Sequence, residues 1–180
     1  MEITHIKGGA NTFMRGFLVA QNPQHRPNTK SVRAVRWIPP IFPHYKVNFD
    51  GACFTTEGTA GMGAIIRDAS GKVSRAIAQQ IKNPISAATV EALACRRAMI
   101  LAMILAKDEG VLDCIFEGDA ETIKKAILAS DLSHPKYGHV INDILQLSIV
   151  FSYCSFYQVK RLGNSVAHFL AGSSKSSCEL

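Results

Sequence analysis

The chain has 180 residues, 47% of them apolar, and a formal charge of +6. That is enough for one domain with a proper core plus a tail, and too little for two full domains. The charge is uneven: Lys7, Arg15, Arg26, Lys30, Arg33, Arg36 and Lys46 stand against Glu2 alone in residues 1–46, which leaves the remainder balanced. No apolar run approaches the roughly 18–20 residues of a membrane span, and the start lacks the apolar stretch of a secretory signal. A soluble, intracellular protein with no membrane partner is expected, nuclear or cytoplasmic. The acid-poor start has something of a transit peptide's composition, which leaves an organelle open, but Gly8-Gly9 and Pro23 interrupt any amphipathic helix.

Residues 1–36 show no sustained period and include the polar, proline-punctuated Asn22-Pro23-Gln24-His25-Arg26-Pro27-Asn28, so they read as a basic flexible arm or linker. Such an arm is either a solvated linker or a contact to a polyanion. The domain starts near Trp37. From Lys46 to Phe54 side chains alternate, with Val47, Phe49, Gly51 and Cys53 on one face and Asn48, Asp50, Ala52 and Phe54 on the other, the pattern of a strand. Gly61 to Arg67 is a second strand, Asp68-Ala69-Ser70-Gly71 a turn, and Lys72 to Ile81 a third, which together predict an antiparallel meander. Ala87 to Lys107 contains no Gly or Pro and is rich in Ala, Leu and Met, predicting a long helix. On it Glu91, Ala94, Cys95, Ala98, Leu101, Ala102 and Leu105 share one face, so Glu91 stands at the rim of a buried seam.

Val111 to Glu117 reads as a fourth strand, Ala120 to Ala129 and Tyr137 to Val150 as helices, and Tyr153 to Lys160 as a fifth strand. Asn164 is a fitting N-cap for a last short helix, which gives way to a polar tail over 173–180. The order is β-β-β-α-β-α-α-β-α. Cys53, Cys95, Cys114, Cys154 and Cys178 have no zinc-ligand spacing and read as reduced core thiols.

Three carboxylates fall where elements begin or end. Asp50 is either a strand residue or, with Gly51, a hairpin turn; continued alternation to Phe54 favours the strand, where a lone carboxylate is costly. Asp119 suits both an N-cap and a ligand, and Glu91 both a macrodipole partner in a first helical turn and a ligand at the seam. Carboxylates converging from separate elements are a donor set for hard divalent cations.

With these blocks in order, namely Trp37-Ile38-Pro39-Pro40, Lys46-Val47-Asn48-Phe49-Asp50-Gly51-Ala52, Gly61 to Asp68 followed by Gly71, Glu91-Ala92-Leu93-Ala94, Glu117-Gly118-Asp119, and Asn164 to Ala171, the chain resembles the ribonuclease H fold. More closely it resembles the plant reverse-transcriptase-like ribonuclease H domains derived from non-LTR retrotransposons, from about residue 37 to residue 172. The resemblance implies an α/β fold: a five-stranded mixed sheet, its first three strands antiparallel, with helices on both faces. It implies that Asp50 bridges two magnesium ions, with manganese an alternative, and that Glu91 and Asp119 complete the ion on the leaving-group side. The fourth ligand, an Asp in many ribonucleases H and either Asp or His in the plant relatives, is here His168, a softer, uncharged donor.

The implied activity is endonucleolytic hydrolysis of the RNA strand of an RNA–DNA hybrid. Backbone groups near Gly51 and Ala52 would read the 2′-hydroxyl, and Arg161 and Asn164 would face the nucleic acid. Three features weigh the other way. The loop before the last helix, Lys160-Arg161-Leu162-Gly163, lacks the family's mobile histidine, Ala120 replaces a hydroxyl residue, and no basic handle follows Leu128. A rival reading is therefore a ribonuclease H-like module that binds nucleic acid and cleaves it poorly or not at all, as a domesticated transposon remnant would. A second rival, an α/β ligand-binding domain, sets the resemblance aside. A monomer is expected.

Overall fold

The chain is described from a computed structural model, which covers residues 36–110 and 113–176. Residues 1–35, the start of the fourth predicted strand at Val111, the end of the polar tail and Cys178 lie outside the described residues. Five strands form one sheet in the order β3-β2-β1-β4-β5. They are β1 (Tyr45–Phe54), β2 (Thr59–Arg67), β3 (Val73–Lys82), β4 (Asp113–Gly118) and β5 (Tyr153–Gln158). β1 pairs antiparallel with β2 and β2 with β3, while β1–β4 and β4–β5 are parallel, so the sheet is mixed as expected. Asp50 lies inside β1, opposite Gly63 of β2. The hairpin-turn reading of Asp50-Gly51 is thereby excluded; the turn comes later, at Gly58, where φ is 61°.

The helices are α1 (Ala87–Glu109), α2 (Glu121–Ala129), α3 (Gly138–Ser148) and α4 (Ser165–Ser173). Ser86 caps α1 by accepting a hydrogen bond from the Thr89 N–H, and Gly110 closes it in the left-handed conformation. Its buried stripe includes Ala94, Cys95, Ala98, Ala102 and Leu105 as read from sequence, together with Met99, which the sequence reading left off the seam. The main core joins α1 and α3 to the sheet through Val47, Phe49, Phe116, Met99, Ile141 and Ile144. β5 ends at Gln158 rather than Lys160, because Lys160 to Gly163 turn tightly into α4, with the Gly163 N–H bonding to the Lys160 carbonyl at 2.8 Å. Ser174 to Ser176 extend α4 as a 3₁₀ turn, in which Ser174 is fully buried. Of the cysteines, Cys95 and Cys114 are buried free thiols and Cys154 is half-buried, but Cys53 is exposed and so is no core thiol.

Two glycines, Gly51 of β1 and Gly63 of β2, bring helices onto the sheet at the level of Asp50. A Cβ on Gly51 would stand 2.9 Å from Val90 Cγ1 and 3.1 Å from the Glu91 nitrogen, so glycine lets the start of α1 approach the strand. A Cβ on Gly63 would collide with the Ala167 carbonyl oxygen and the Ala171 nitrogen of α4, which are backbone atoms that cannot swing away. Gly63→Ala is therefore expected to lower the melting temperature by about 2–12 °C, since overpacking typically costs about 1–3 kcal/mol and each kcal/mol is about 2–4 °C in a chain of this size. Thermal unfolding followed by circular dichroism checks it.

Candidate metal centre

β1, α1 and β4 deliver the three carboxylates to one place. Asp50, Glu91 and Asp119 each offer an oxygen, and these oxygens lie within 4.8 Å of one another. Asp50 comes from mid-strand and is 2% exposed, while Asp119 directly follows the last residue of β4. Glu91 stands past the first turn of α1, which holds no acidic residue, so the macrodipole reading fails. Capping fails for Asp119 as well: the residue at the head of α2 is Ala120, and no side chain caps that helix.

The electrostatics match a site built for a cation. Burial pushes the Asp50 carboxyl up to about 6, with the His168 hydrogen bond pulling it down and the nearby Asp119 adding to the rise. Burial likewise pushes Glu91 up to about 8, reinforced by Asp50 and Asp119 and opposed by the Gly51 backbone and Arg161. Among the described residues Glu91 Oε2 is buried with no hydrogen-bond partner. A buried acceptor with nothing to accept from, beside two more carboxylates, fits a hard divalent cation ligated by oxygen.

These shifts carry a stability consequence. The folded chain keeps the Glu91 proton up to about pH 8, whereas an ordinary glutamate releases it at 4.5. The native state thus binds more protons in that window, and metal-free stability falls as pH rises from about 4.5 to about 8. Glu91→Gln is expected to melt several degrees higher than the parent at pH 8 in chelator and at nearly the same temperature at pH 4. Scanning calorimetry across that range measures it.

His168, on α4, lies outside the three-carboxylate set and touches Asp50, with Nδ1 at 2.6 Å from Oδ2. The carboxylate accepts, so Nδ1 carries the proton; Nε2 then accepts from Arg161 Nη2 at 2.9 Å. Arg161 is exposed and sits at the mouth of the site. Gly51 and Ala52 are half-buried beside it.

Asn164 corrects the sequence reading. Its side chain is 1% exposed and does not cap α4; it accepts from Asn48 Nδ2 at 3.2 Å and donates to the Phe49 carbonyl at 2.8 Å. Buried and engaged on both atoms, it is not placed to touch nucleic acid.

Asn48, which sequence reasoning assigned to a strand face and gave no role, is the centre of a buried polar network. Its Oδ1 accepts from Trp37 Nε1 at 2.9 Å and Arg67 Nη2 at 2.8 Å, and its Nδ2 donates to Glu117 Oε2 at 3.0 Å. Glu117 also pairs with Lys46 at 2.8 Å. The available signal was the alternation itself, which puts two polar side chains, Asn48 and Asp50, on one face of a central strand.

The family model described as reverse transcriptase-like matches residues 48–174. The chain belongs to this reverse transcriptase-like family, within the ribonuclease H superfamily. Among solved structures it is similar to RNase H1 from the halophilic archaeon Halobacterium salinarum NRC-1, with TM-score 0.66 and 22% identity, covering 75% of this chain and 99% of that one. The N-terminal RNase H domain of rv2228c from Mycobacterium tuberculosis gives TM-score 0.66 and 19% identity, over 74% of this chain and 94% of that one. LC11-RNase H1, solved in complex with an RNA/DNA hybrid, gives 0.66 and 17%, over 74% and 97%. At these identities the structures establish the shared fold. No curated protein sequence matches the chain. Among the described residues no helix is long and apolar enough to cross a membrane.

Proposed function

We propose that this ribonuclease H-like domain is a metal-dependent endonuclease that hydrolyses the RNA strand of RNA–DNA hybrids. The observation that carries the reading is the convergence of Asp50, Glu91 and Asp119, with raised carboxyl pKa values and an orphaned Glu91 oxygen, on a ribonuclease H sheet. These three residues would hold magnesium, or manganese, with Asp50 shared between two ions. The bound metal supplies activation of water and stabilisation of charge on the departing 3′ oxygen.

The chain's own groups do the rest. The buried carboxyls must release their protons to water before they can ligate a dication, so metal binding strengthens from about pH 6 to about pH 8. His168 holds a proton at Nδ1 against Asp50, and Arg161 places a guanidinium at the mouth, suited to a backbone phosphate. A cleft of ≈ 580 Å³ runs between the β1–β2 turn and the β3–α1 loop, past Cys53, Thr55, Gly58, Asn83 and Ser86. Phe54 and Pro84 also line it; the hydroxyls of Thr55, Thr59 and Ser86 suit 2′-hydroxyl recognition, together with the backbone at Gly51 and Ala52. Descent from a plant non-LTR retrotransposon belongs to the same reading and rests on the ordered sequence blocks.

A second reading has a specific observation behind it. His168 stands where a fourth carboxylate would, bound to Asp50 on one side and Arg161 on the other, an arrangement that suits a module that binds hybrid and cleaves it weakly. One experiment separates the two: end-labelled RNA–DNA hybrid is incubated with the chain in magnesium and then manganese, beside single-stranded RNA and DNA duplex. Cleavage confined to the RNA of the hybrid and abolished by chelator supports the nuclease. Retained hybrid binding with no cleavage in either metal supports the module.

A further inference from the structure

The amide of Asn48 makes four hydrogen bonds, the full capacity of a carboxamide: two accepted, from Trp37 and Arg67, and two donated, to Glu117 and Asn164. The partners fix which end is which. Trp37 and Arg67 can only donate and an ionised Glu117 can only accept, so the Oδ1 end faces Trp37 and Arg67 and the Nδ2 end faces Glu117 and Asn164. Asn164 must then present its oxygen to Asn48 and its Nδ2 to the Phe49 carbonyl, which it does at 2.8 Å. The polarity of one buried amide is thereby relayed to the backbone next to Asp50.

The same relay governs α4. At the head of that helix Asn164 makes no capping bond; its amide binds β1 instead. One turn later the His168 N–H bonds to the Asn164 carbonyl at 3.0 Å, and the imidazole reaches Asp50 at 2.6 Å. We infer that the Asn48–Asn164 amide pair is the positioning element of this centre, holding the first turn of α4 against β1 so that His168 meets Asp50, and thereby setting the affinity of the carboxylates for a divalent cation. The inference rests on the metal-site reading above for its second half only. Neither amide belongs to the carboxylate set that would hold the cation; both act through Asp50 and His168.

An aspartate at 48 would lose both donated bonds and face Glu117 with like charge, and a leucine would lose all four bonds. Replacing both amides by leucine removes the pair together, but leaves Trp37, Arg67, Glu117 and the Phe49 carbonyl without their amide partners, so it is read beside Asn164→Ala. Comparison of Asn164→Ala, the double variant Asn48→Leu/Asn164→Leu, and Ile144→Ala as a core control remote from the site separates positioning from stability. Two readouts are taken on the full chain: the tautomer of the His168 ring from long-range ¹H–¹⁵N spectra, and Mn²⁺ affinity by calorimetry, neither of which needs turnover.

In the parent, His168 is expected as the Nδ1–H tautomer. Asn164→Ala and the double variant are expected to give a tautomer mixture and about 10–100-fold weaker Mn²⁺ binding, the usual effect of removing an outer partner of a metal site. Ile144→Ala is expected to lower the melting temperature with both readouts unchanged. Parent-like tautomer and Mn²⁺ affinity in folded Asn164→Ala or in the double variant would overturn the inference, as would equal loss of both signals in Ile144→Ala. A parent chain that takes up no Mn²⁺ would sink the metal-site reading instead, and the tautomer comparison would still decide the positioning role.

Discussion

Asp50→Asn is expected to lower metal-dependent cleavage of a hybrid by about 10³-fold or more while leaving the chain folded. Metal stabilisation of transition-state charge is worth several kcal/mol, and each 1.36 kcal/mol is tenfold in rate. Asparagine keeps the shape, and its Oδ1 still accepts from His168, but it removes the charge shared by the whole centre. The same change relieves Glu91, whose raised pKa owes part of its rise to Asp50. In chelator at pH 8 the variant should therefore melt at or above the parent temperature. Loss of activity with gain of metal-free stability is a combination that general misfolding does not produce. Single-turnover cleavage beside scanning calorimetry measures both, and a variant that still cleaves at near-parental rate would show that Asp50 is not a ligand.

His168→Asp is expected to raise magnesium-supported cleavage by tenfold or more and to erase a preference for manganese. In the parent both ring nitrogens are occupied, Nδ1 by Asp50 and Nε2 by Arg161, so ligation requires the imidazole to give up one partner. Nitrogen is also a poorer donor than carboxylate for magnesium, and manganese tolerates it better. An aspartate there adds a fourth negative charge, which strengthens magnesium binding and weakens the metal-free fold. His168→Asp should melt lower than the parent in chelator at pH 8 and gain more from added magnesium. Initial rates against metal concentration for both proteins give the answer. Saturation of the parent at low magnesium with no gain in the variant would mean that His168 already suits its place.

The sheet and its helices were legible in the sequence because period and punctuation agree with the packing. Alternation through Lys46 to Phe54 placed Asp50 inside a strand, and the breaker-free run after Ser86 gave α1 to within two residues at its C-terminus. The convergence of Asp50, Glu91 and Asp119 was legible only through the family resemblance, since nothing in the local pattern brings β1, α1 and β4 together. The fates of Asn48 and Asn164 were not legible. Whether an asparagine caps a helix, faces solvent or bridges two elements depends on what stands opposite, and here that is decided by Trp37, Arg67 and Glu117 from three different segments. The exposure of Cys53 was hidden for a similar reason, because strand alternation does not show that a face ends where the covering helix begins.

Anomalous diffraction from crystals of the chain soaked in manganese tests the centre most directly. A strong anomalous peak among the oxygens of Asp50, Glu91 and Asp119, absent in Asp50→Asn, is the expected result. Crystals of the unmodified chain with manganese bound elsewhere and none among these three carboxylates would contradict it.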